Sequence, residues 1–352
     1  MPEGHTVHRL AGAFERAFGG QRVRTSSPQG RFGEATQLDG TVLLGAEAVG
    51  KHLLLPFAPS ADVDRDAPVV RHVHIHLGLY GSWTFAGDPG FVDAHAIGAP
   101  RLRRGEQEEE LDGAEVTDWR RIVPRPTVRL RIAGARGLAD LTGPTACEIL
   151  DGAGRQAVLD RLGPDPLRPD PAGRERRRFV EAVRRSRTSI GALLMNQRVV
   201  AGIGNIFRAE LLFRARLDPL VPGRDLSPGM LEQMWEDLVA LMTYGARTGR
   251  IVTTQPEHRE IEARIIERSR GTRQNGDEDP DVVPREESFY VYHRQTLPCR
   301  LCGTTVRSAD LSARTVFWCP RCQSRRSRRA SWTREHPAAP WALAPGRADE
   351  AA

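Results

Sequence analysis

Between residues 6 and 18, apolar side chains recur at Val7, Leu10, Ala11, Phe14, Ala17 and Phe18, a spacing of three and four that predicts one buried face of an α-helix. The period then shortens. Residues 41–44, 52–57, 69–77, 82–85 and 127–132 read as short strands, and in the last of these Arg129 and Arg131 alternate with apolar neighbours. Several short strands separated by turns predict a β-sandwich. His72, His74 and His76 alternate along one of these strands and so share a face. They read as its polar face, with a metal site as the alternative. Residues 101–126, acidic, basic and Pro-rich in turn, read as an exposed insertion, and 163–173 as an interdomain linker.

Beyond the linker the period lengthens again, predicting helices over 174–185, 188–196, 205–215 and 227–244, the last opened by Ser227-Pro228 as cap and first turn. Gln197 to Asn205 carries Gly202 and Gly204 just ahead of the third helix, with Asn205 expected as its N-cap. Free N–H groups there would suit a phosphate. An ordinary helix-turn-helix corner fits the same residues.

A chain of 352 residues has length for two or three domains with ample core. A net charge of +6 tilts the partner toward nucleic acid, though only slightly. No run of eighteen apolar residues and no basic-then-apolar leader occurs, so the expectation is a cytoplasmic protein with no membrane partner. Of the 51 cationic side chains only Lys51 is lysine, in a chain whose Arg, Ala, Gly and Pro content suggests a GC-rich genome. A lysine kept under that bias is either retained by chance or does what guanidinium cannot, as a compact point donor with a movable pKa.

Four of the five cysteines form Cys299-x2-Cys302-x16-Cys319-x2-Cys322, the spacing of a four-thiolate zinc ribbon. Two disulfides are the alternative, which the lack of a secretory leader argues against. Arg307, Arg314 and Arg321, with Arg325-Arg326 and Arg328-Arg329 behind them, make this a basic ribbon suited to a polyanion. Cys147 reads as a small buried hydrophobe. At the other end, removal of the initiator Met would leave Pro2 as a secondary α-amine beside Glu3, at the positive end of the first helix. Such an amine titrates near about 8 and lower beside a helix dipole, so it can attack a sugar aldehyde and form an iminium, with Glu3 shuttling the proton. Taken alone, Met-Pro-Glu is better explained as an unstructured end.

Met1-Pro2-Glu3-Gly4, Val49-Gly50-Lys51-His52-Leu53, residues 196–213 and the four-cysteine array together resemble the formamidopyrimidine-DNA glycosylase and endonuclease VIII family, in its order and spacing. The resemblance implies an α+β protein. An N-terminal two-layered β-sandwich with an N-terminal helix (1–150) is followed by a helix-two-turn-helix domain (174–250) and a zinc-ribbon β-hairpin (289–327), while the Pro- and Ala-rich tail (334–352) reads from its composition as disordered. The resemblance also implies one structural zinc ion, damaged DNA as partner, a flipped-out nucleotide and a monomer. Pro2 matches the Schiff-base nucleophile, Glu3 the general acid, and Lys51 a phosphate contact at the lesion. Asn205 and Arg314 match backbone-gripping residues of the second domain and the hairpin, and Leu79 and Tyr80 the side chains that fill the hole in the duplex.

Two departures stand out. The family commonly carries a second carboxylate where this chain has Thr6, and residues 271–281 are polar and charged where relatives place part of base recognition. The expected activity is a bifunctional glycosylase and abasic-site lyase. A binder of the same fold that has lost the chemistry is the rival, and a zinc-ribbon adaptor a weaker one. Leu79 beside Tyr80 resembles the endonuclease VIII branch, while Arg120-Arg121-Ile122 only echoes the opposite-base loop of purine-directed relatives. Oxidised pyrimidines are therefore expected as substrates over 8-oxoguanine.

Overall fold

The computed structural model describes residues 2–91, 96–98, 118–259 and 283–324. It divides into two compact units, Met1–Leu162 and Gly163–Ala352.

In the first unit, helix α1 (Gly4–Phe18) starts two residues before its expected position, because the Glu3 carbonyl accepts the Thr6 N–H at 3.0 Å. Its buried stripe is the expected one, with Ala13 in place of Ala11. It packs on two antiparallel sheets. The larger holds β1 (Gln21–Arg22), β3 (Val42–Leu43), β5 (His52–Ala58), β6 (Arg71–His76) and β11 (Ala146–Leu150) in that order, with β4 (Glu47–Val49) also paired to β5. The smaller runs β2 (Arg24–Ser26), β9 (Val128–Ala133), β10 (Gly137–Thr142), β7 (Ser82–Gly87) and β8 (Ala96–Gly98). Phe14 joins the layers, its ring 4.7 Å from Trp83 and 5.5 Å from Phe85 in edge-on contacts. Both faces contribute to one core, among them Leu53, Leu55, Val73, Ile75, Leu130 and Ile132. Cys147 packs against this core, and burial pushes its thiol up to about 12.

The structure adds three features to what the sequence predicts for this unit. The histidine face of β6 is polar, as expected, but it is also covered: His72 and His74 are buried, at 5% exposure each, because α2 (Gly152–Leu159) lies over β6 and β11. Of the expected insertion, residues 118–122 form a packed turn in which the buried Trp119 donates Nε1–H to Asp88 at 2.7 Å; residues 101–117 lie outside the described residues. Strand β10 is central to its sheet, its buried Asp140 held by a bidentate pair with Arg131 at 2.7 Å on both oxygens.

The second unit begins with α3 (Arg174–Arg184), α4 (Ile190–Leu193), α5 (Asn205–Arg214) and α6 (Pro228–Thr248) around a core that includes Phe179, Leu194, Phe207, Trp235 and Leu238. The helix expected over 188–196 contracts to α4, since Ser189 is drawn into a bridge with Pro222. Ser227 caps α6, accepting the Met230 N–H at 3.3 Å. Asn205 is not an N-cap: Gly204 takes that position with extended backbone, and Asn205 is the first helical residue, its side chain engaged elsewhere. Gly202, at φ +91°, makes the turn before it. The unit ends in a hairpin of β12 (Arg307–Leu311) and β13 (Arg314–Trp318). The segments expected at 271–281 and 334–352 lie outside the described residues. Among the described residues, no helix is long and apolar enough to cross a membrane.

Candidate functional site

Strand register gathers the candidate residues of the first unit. His52 opens β5 and pairs with His76, which closes β6, so the Gly50–Lys51 turn and the Leu77–Gly81 turn leave the same end of one sheet. Val49 pairs with His52, which makes Gly50–Lys51 a two-residue hairpin turn, and Gly50 supplies the positive φ of +58° that it needs. Lys51 is half-buried there. In the second turn Leu79 and Tyr80 are 39% and 70% exposed, the latter an unusual position for a large aromatic. Two glycines hold them out. Gly78 is at φ +66°, where a Cβ would meet the Thr145 hydroxyl at 1.8 Å, and a Cβ on Gly81 would lie 2.3 Å from the Leu77 carbonyl oxygen.

Helix α1 packs along β4 and β5, and Glu15 near its C-terminal end accepts the Ala46 N–H at 2.9 Å, just ahead of β4. From Glu15 back to Gly4 the helix rises about 16 Å, and from Ala46 to Lys51 an extended chain runs about 17 Å. These lengths match, so a helix running antiparallel to β4 brings the start of α1 level with the Lys51 turn. Pro2 and Glu3 are both buried at this end, Glu3 with no exposure, where the helix dipole favours a carboxylate. His5 follows, and burial pushes its imidazole down to about 3, so it is neutral; its Nε2 lies 3.2 Å from the Thr6 hydroxyl. A neutral histidine beside a hydroxyl therefore stands where a second carboxylate was absent from the sequence.

In the second unit, the Asn205 side chain donates Nδ2–H to the Thr315 carbonyl at 2.9 Å, and its Oδ1 accepts from Arg208. Arg208, which sequence reasoning missed, has no exposed surface and also donates to the carbonyls of Leu311 (3.3 Å), Arg314 (3.4 Å) and Thr315 (3.0 Å). It draws the hairpin turn onto α5. Arg314 itself stays exposed at the start of β13. The signal was present: Arg208 and Glu210 are the two charges inside an otherwise apolar run, Ile206 to Phe213. Glu210 is also fully buried and accepts the N–H groups of Tyr290, Val291 and Tyr292 at 2.8–2.9 Å and the Thr253 hydroxyl.

The four ribbon thiols lie within 4.8 Å of one another, Cys299 to Cys322 at 3.9 Å and Cys302 to Cys319 at 3.5 Å. A tetrahedral zinc with Zn–S bonds of about 2.3 Å separates its sulfurs by about 3.8 Å, so the cluster fits the ion. Cys299 is pushed down to about 5, first by its contact with Cys322 and further by the N–H groups of Leu301 and Cys302, against the opposing effect of burial. That is the environment of a thiolate ligand.

A sandwich with Pro2 at the head of its helix and a lysine turn, joined in sequence to a helical unit and a four-thiolate ribbon, is the combination that the sequence resemblance implied. The sequence comparisons narrow this: residues 1–108 match the formamidopyrimidine-DNA glycosylase N-terminal domain, 162–257 its H2TH domain, and 297–325 the zinc finger found in FPG and IleRS. The chain is 41% identical over 329 residues to endonuclease 8 1 of Mycobacterium tuberculosis (strain ATCC 25618 / H37Rv), covering 92% of this chain and 100% of that one. It belongs to the formamidopyrimidine-DNA glycosylase and endonuclease VIII family. The formamidopyrimidine-DNA glycosylase of Geobacillus kaustophilus is 35% identical over 178 residues, 49% of this chain and 54% of that one. By fold, the chain resembles the MutM (Fpg) protein of Thermus thermophilus (TM-score 0.60, 22% identity, 92% and 98% of the two chains). It also resembles the Lactococcus lactis formamidopyrimidine-DNA glycosylase bound to DNA containing an abasic site (TM-score 0.59, 17% identity, 92% and 99%).

Proposed function

We propose that this protein, acting as a monomer, removes oxidised pyrimidines from DNA and then cuts the strand at the same site, with the Pro2 amine as nucleophile. As a family member it is a DNA glycosylase and abasic-site lyase of base excision repair. The observation that carries the reading is Pro2-Glu3 buried at the head of α1, in a chain related over nearly its whole length to an endonuclease 8.

The chemistry follows from these groups. With Met1 removed, the Pro2 nitrogen attacks C1′ of the flipped nucleotide, and the base leaves with the glycosidic electron pair. The Glu3 carboxylate takes the proton released from the Pro2 nitrogen and delivers it to the ring oxygen as the sugar opens, which leaves an iminium between Pro2 and C1′. That iminium draws electrons from the C2′–H bond as the proton leaves, expelling the 3′-phosphate, and a second elimination expels the 5′-phosphate. Lys51, Asn205 and Arg314 grip the phosphates that flank the site, while Leu79 and Tyr80 occupy the space the base vacated and offset part of the unstacking cost. The residues that would hold zinc fold the ribbon that carries Arg314 and take no part in bond breaking.

Substrate choice rests on the Leu77–Gly81 turn. Leu79 and Tyr80 project from one turn, so a single loop supplies the plug and readout of the opposite base is weak. Matched duplexes each bearing one lesion test this, with dihydrouracil opposite guanine cut faster than 8-oxoguanine opposite cytosine and a one-nucleotide gap phosphorylated at both ends as product. The reverse order would overturn the substrate assignment. Binding of abasic DNA without any cleavage would favour the rival reading, a non-catalytic binder, for which Thr6 is the motive.

A further inference from the structure

On the face of the larger sheet turned away from the core, β5, β6 and β11 place His52, His74 and Glu148 in a row. Leu54 pairs with His74 and His52 with His76, while Glu148 pairs with His74 from the other side. His52 Nδ1 lies 2.8 Å from His74 Nε2, and His74 Nδ1 lies 2.8 Å from a Glu148 oxygen. The two rings are nearly parallel, 16° apart with centroids at 5.1 Å, and the His76 ring lies 5.0 Å from His52.

The direction of this chain is set by its end. A carboxylate only accepts, so His74 donates from Nδ1 to Glu148, and its Nε2 shares one proton with His52 Nδ1. Burial lowers the pKa of His52 to about 3, which keeps it neutral beside Lys51. Gly78, at the base of the turn carrying Leu79 and Tyr80, donates its N–H to His76 Nδ1 at 3.2 Å. The opposite face of the same strands is filled by Leu53, Leu55, Val73 and Ile75, which need no partners. Buried imidazoles need partners and so cost more than aliphatic residues, and here they are aligned behind one end of the sheet.

We propose that Glu148, His74 and His52 are positioning residues for Lys51: the carboxylate fixes His74, His74 fixes the ring of His52, and His52 holds the adjoining Gly50–Lys51 turn in its DNA-binding form. This rests on Lys51 being a phosphate contact, as argued above. Glu148 suits a test because its side chain is 56% exposed, so its replacement leaves the core in place.

The full-length, zinc-loaded protein is titrated with a duplex holding a tetrahydrofuran abasic analogue, as wild type, Glu148→Leu, Glu148→Gln, Lys51→Ala and the Lys51→Ala/Glu148→Leu double variant. Single-turnover cleavage of abasic DNA at saturation is measured alongside. Glu148→Leu should weaken binding about tenfold, the scale of one hydrogen bond to a charged group, with the loss on affinity rather than on the saturated rate. Glu148→Gln, which keeps an acceptor oxygen, should recover most of it. In the Lys51→Ala background the leucine should have no further effect. Two results overturn the proposal while leaving the Lys51 assignment standing: losses that multiply in the double variant, or a Glu148→Leu protein that binds like wild type. If Lys51→Ala binds like wild type, the phosphate-contact assignment fails, and this inference with it.

Discussion

In the first unit the strands close around Phe14, Phe18, Phe57 and Trp83, none more than 1% exposed. In the ribbon of the second unit the hairpin has little beyond Val306, Val316, Phe317 and the cysteines to bury. What stands in for apolar surface there is polar and specific: four thiols, the Glu210 carboxylate under three successive N–H groups, Arg208 under three carbonyls, and Gln323, which accepts from Cys319 N and donates to the Leu217 carbonyl. A sandwich core spreads its stability over many side chains, so removing one such as Leu53 costs about 2–5 kcal/mol. The ribbon concentrates its stability in a few groups whose loss is not compensated by neighbours.

The sharpest contrast should come from the metal. Structural zinc contributes on the order of 10 kcal/mol to such a fold, so Cys302→Ser should release the ion and expose residues 299–323 to rapid hydrogen exchange, leaving β5 and β6 as protected as before. DNA affinity should fall with it, because Arg314 loses its support. A ribbon that keeps its protection without zinc in metal analysis would remove the distinction between the two regions.

A smaller effect is expected at Glu210. Replacing it with alanine strands the N–H groups of Tyr290, Val291 and Tyr292 in a buried site, which should destabilise the second unit by about 3 kcal/mol. Denaturant unfolding followed through that unit would check it, and an undiminished midpoint would mean that water or other groups replace the carboxylate. Smallest of all is the hairpin turn, where Ser312 and Ala313 adopt φ of 54° and 58°, the left-handed region that favours Asn and Gly. The pair Ser312→Asn and Ala313→Gly should stabilise the hairpin by about 0.5 kcal/mol or more, visible as slower exchange of its amides. Destabilisation would mean that the two native side chains make contacts the turn depends on.

The two regions also differed in how far sequence foretold them. Helix α1 and strands β5, β6, β7 and β9 carry uninterrupted periods and could be placed from them, as could the ribbon, whose spacing speaks without any period. Strands β1, β2 and β4 are two or three residues long and hold no pattern to find. Helix α2 buries only Val158, so its stripe is invisible, and with it went the knowledge that the histidines of β6 are covered. Strand β10 was hidden by Asp140, a charge made tolerable only by Arg131 on the neighbouring strand. Of the candidate site residues, Lys51 stood out by composition, while Leu79 and Tyr80 came only through the family resemblance. Asn205 was expected as the N-cap and is instead the first helical residue, because Gly204 could take the cap. Arg208 needed the tertiary structure, since nothing local says which carbonyls a buried guanidinium will meet.

The central claim, that the Pro2 amine is the nucleophile, can be tested on one covalent bond. Borohydride reduction of the protein on abasic-site DNA, followed by digestion and mass spectrometry of the trapped peptide, should place the sugar fragment on the nitrogen of Pro2, with trapping lost when an N-terminal extension blocks that amine. A fragment found on Lys51, or undiminished trapping of the blocked protein, would contradict the account.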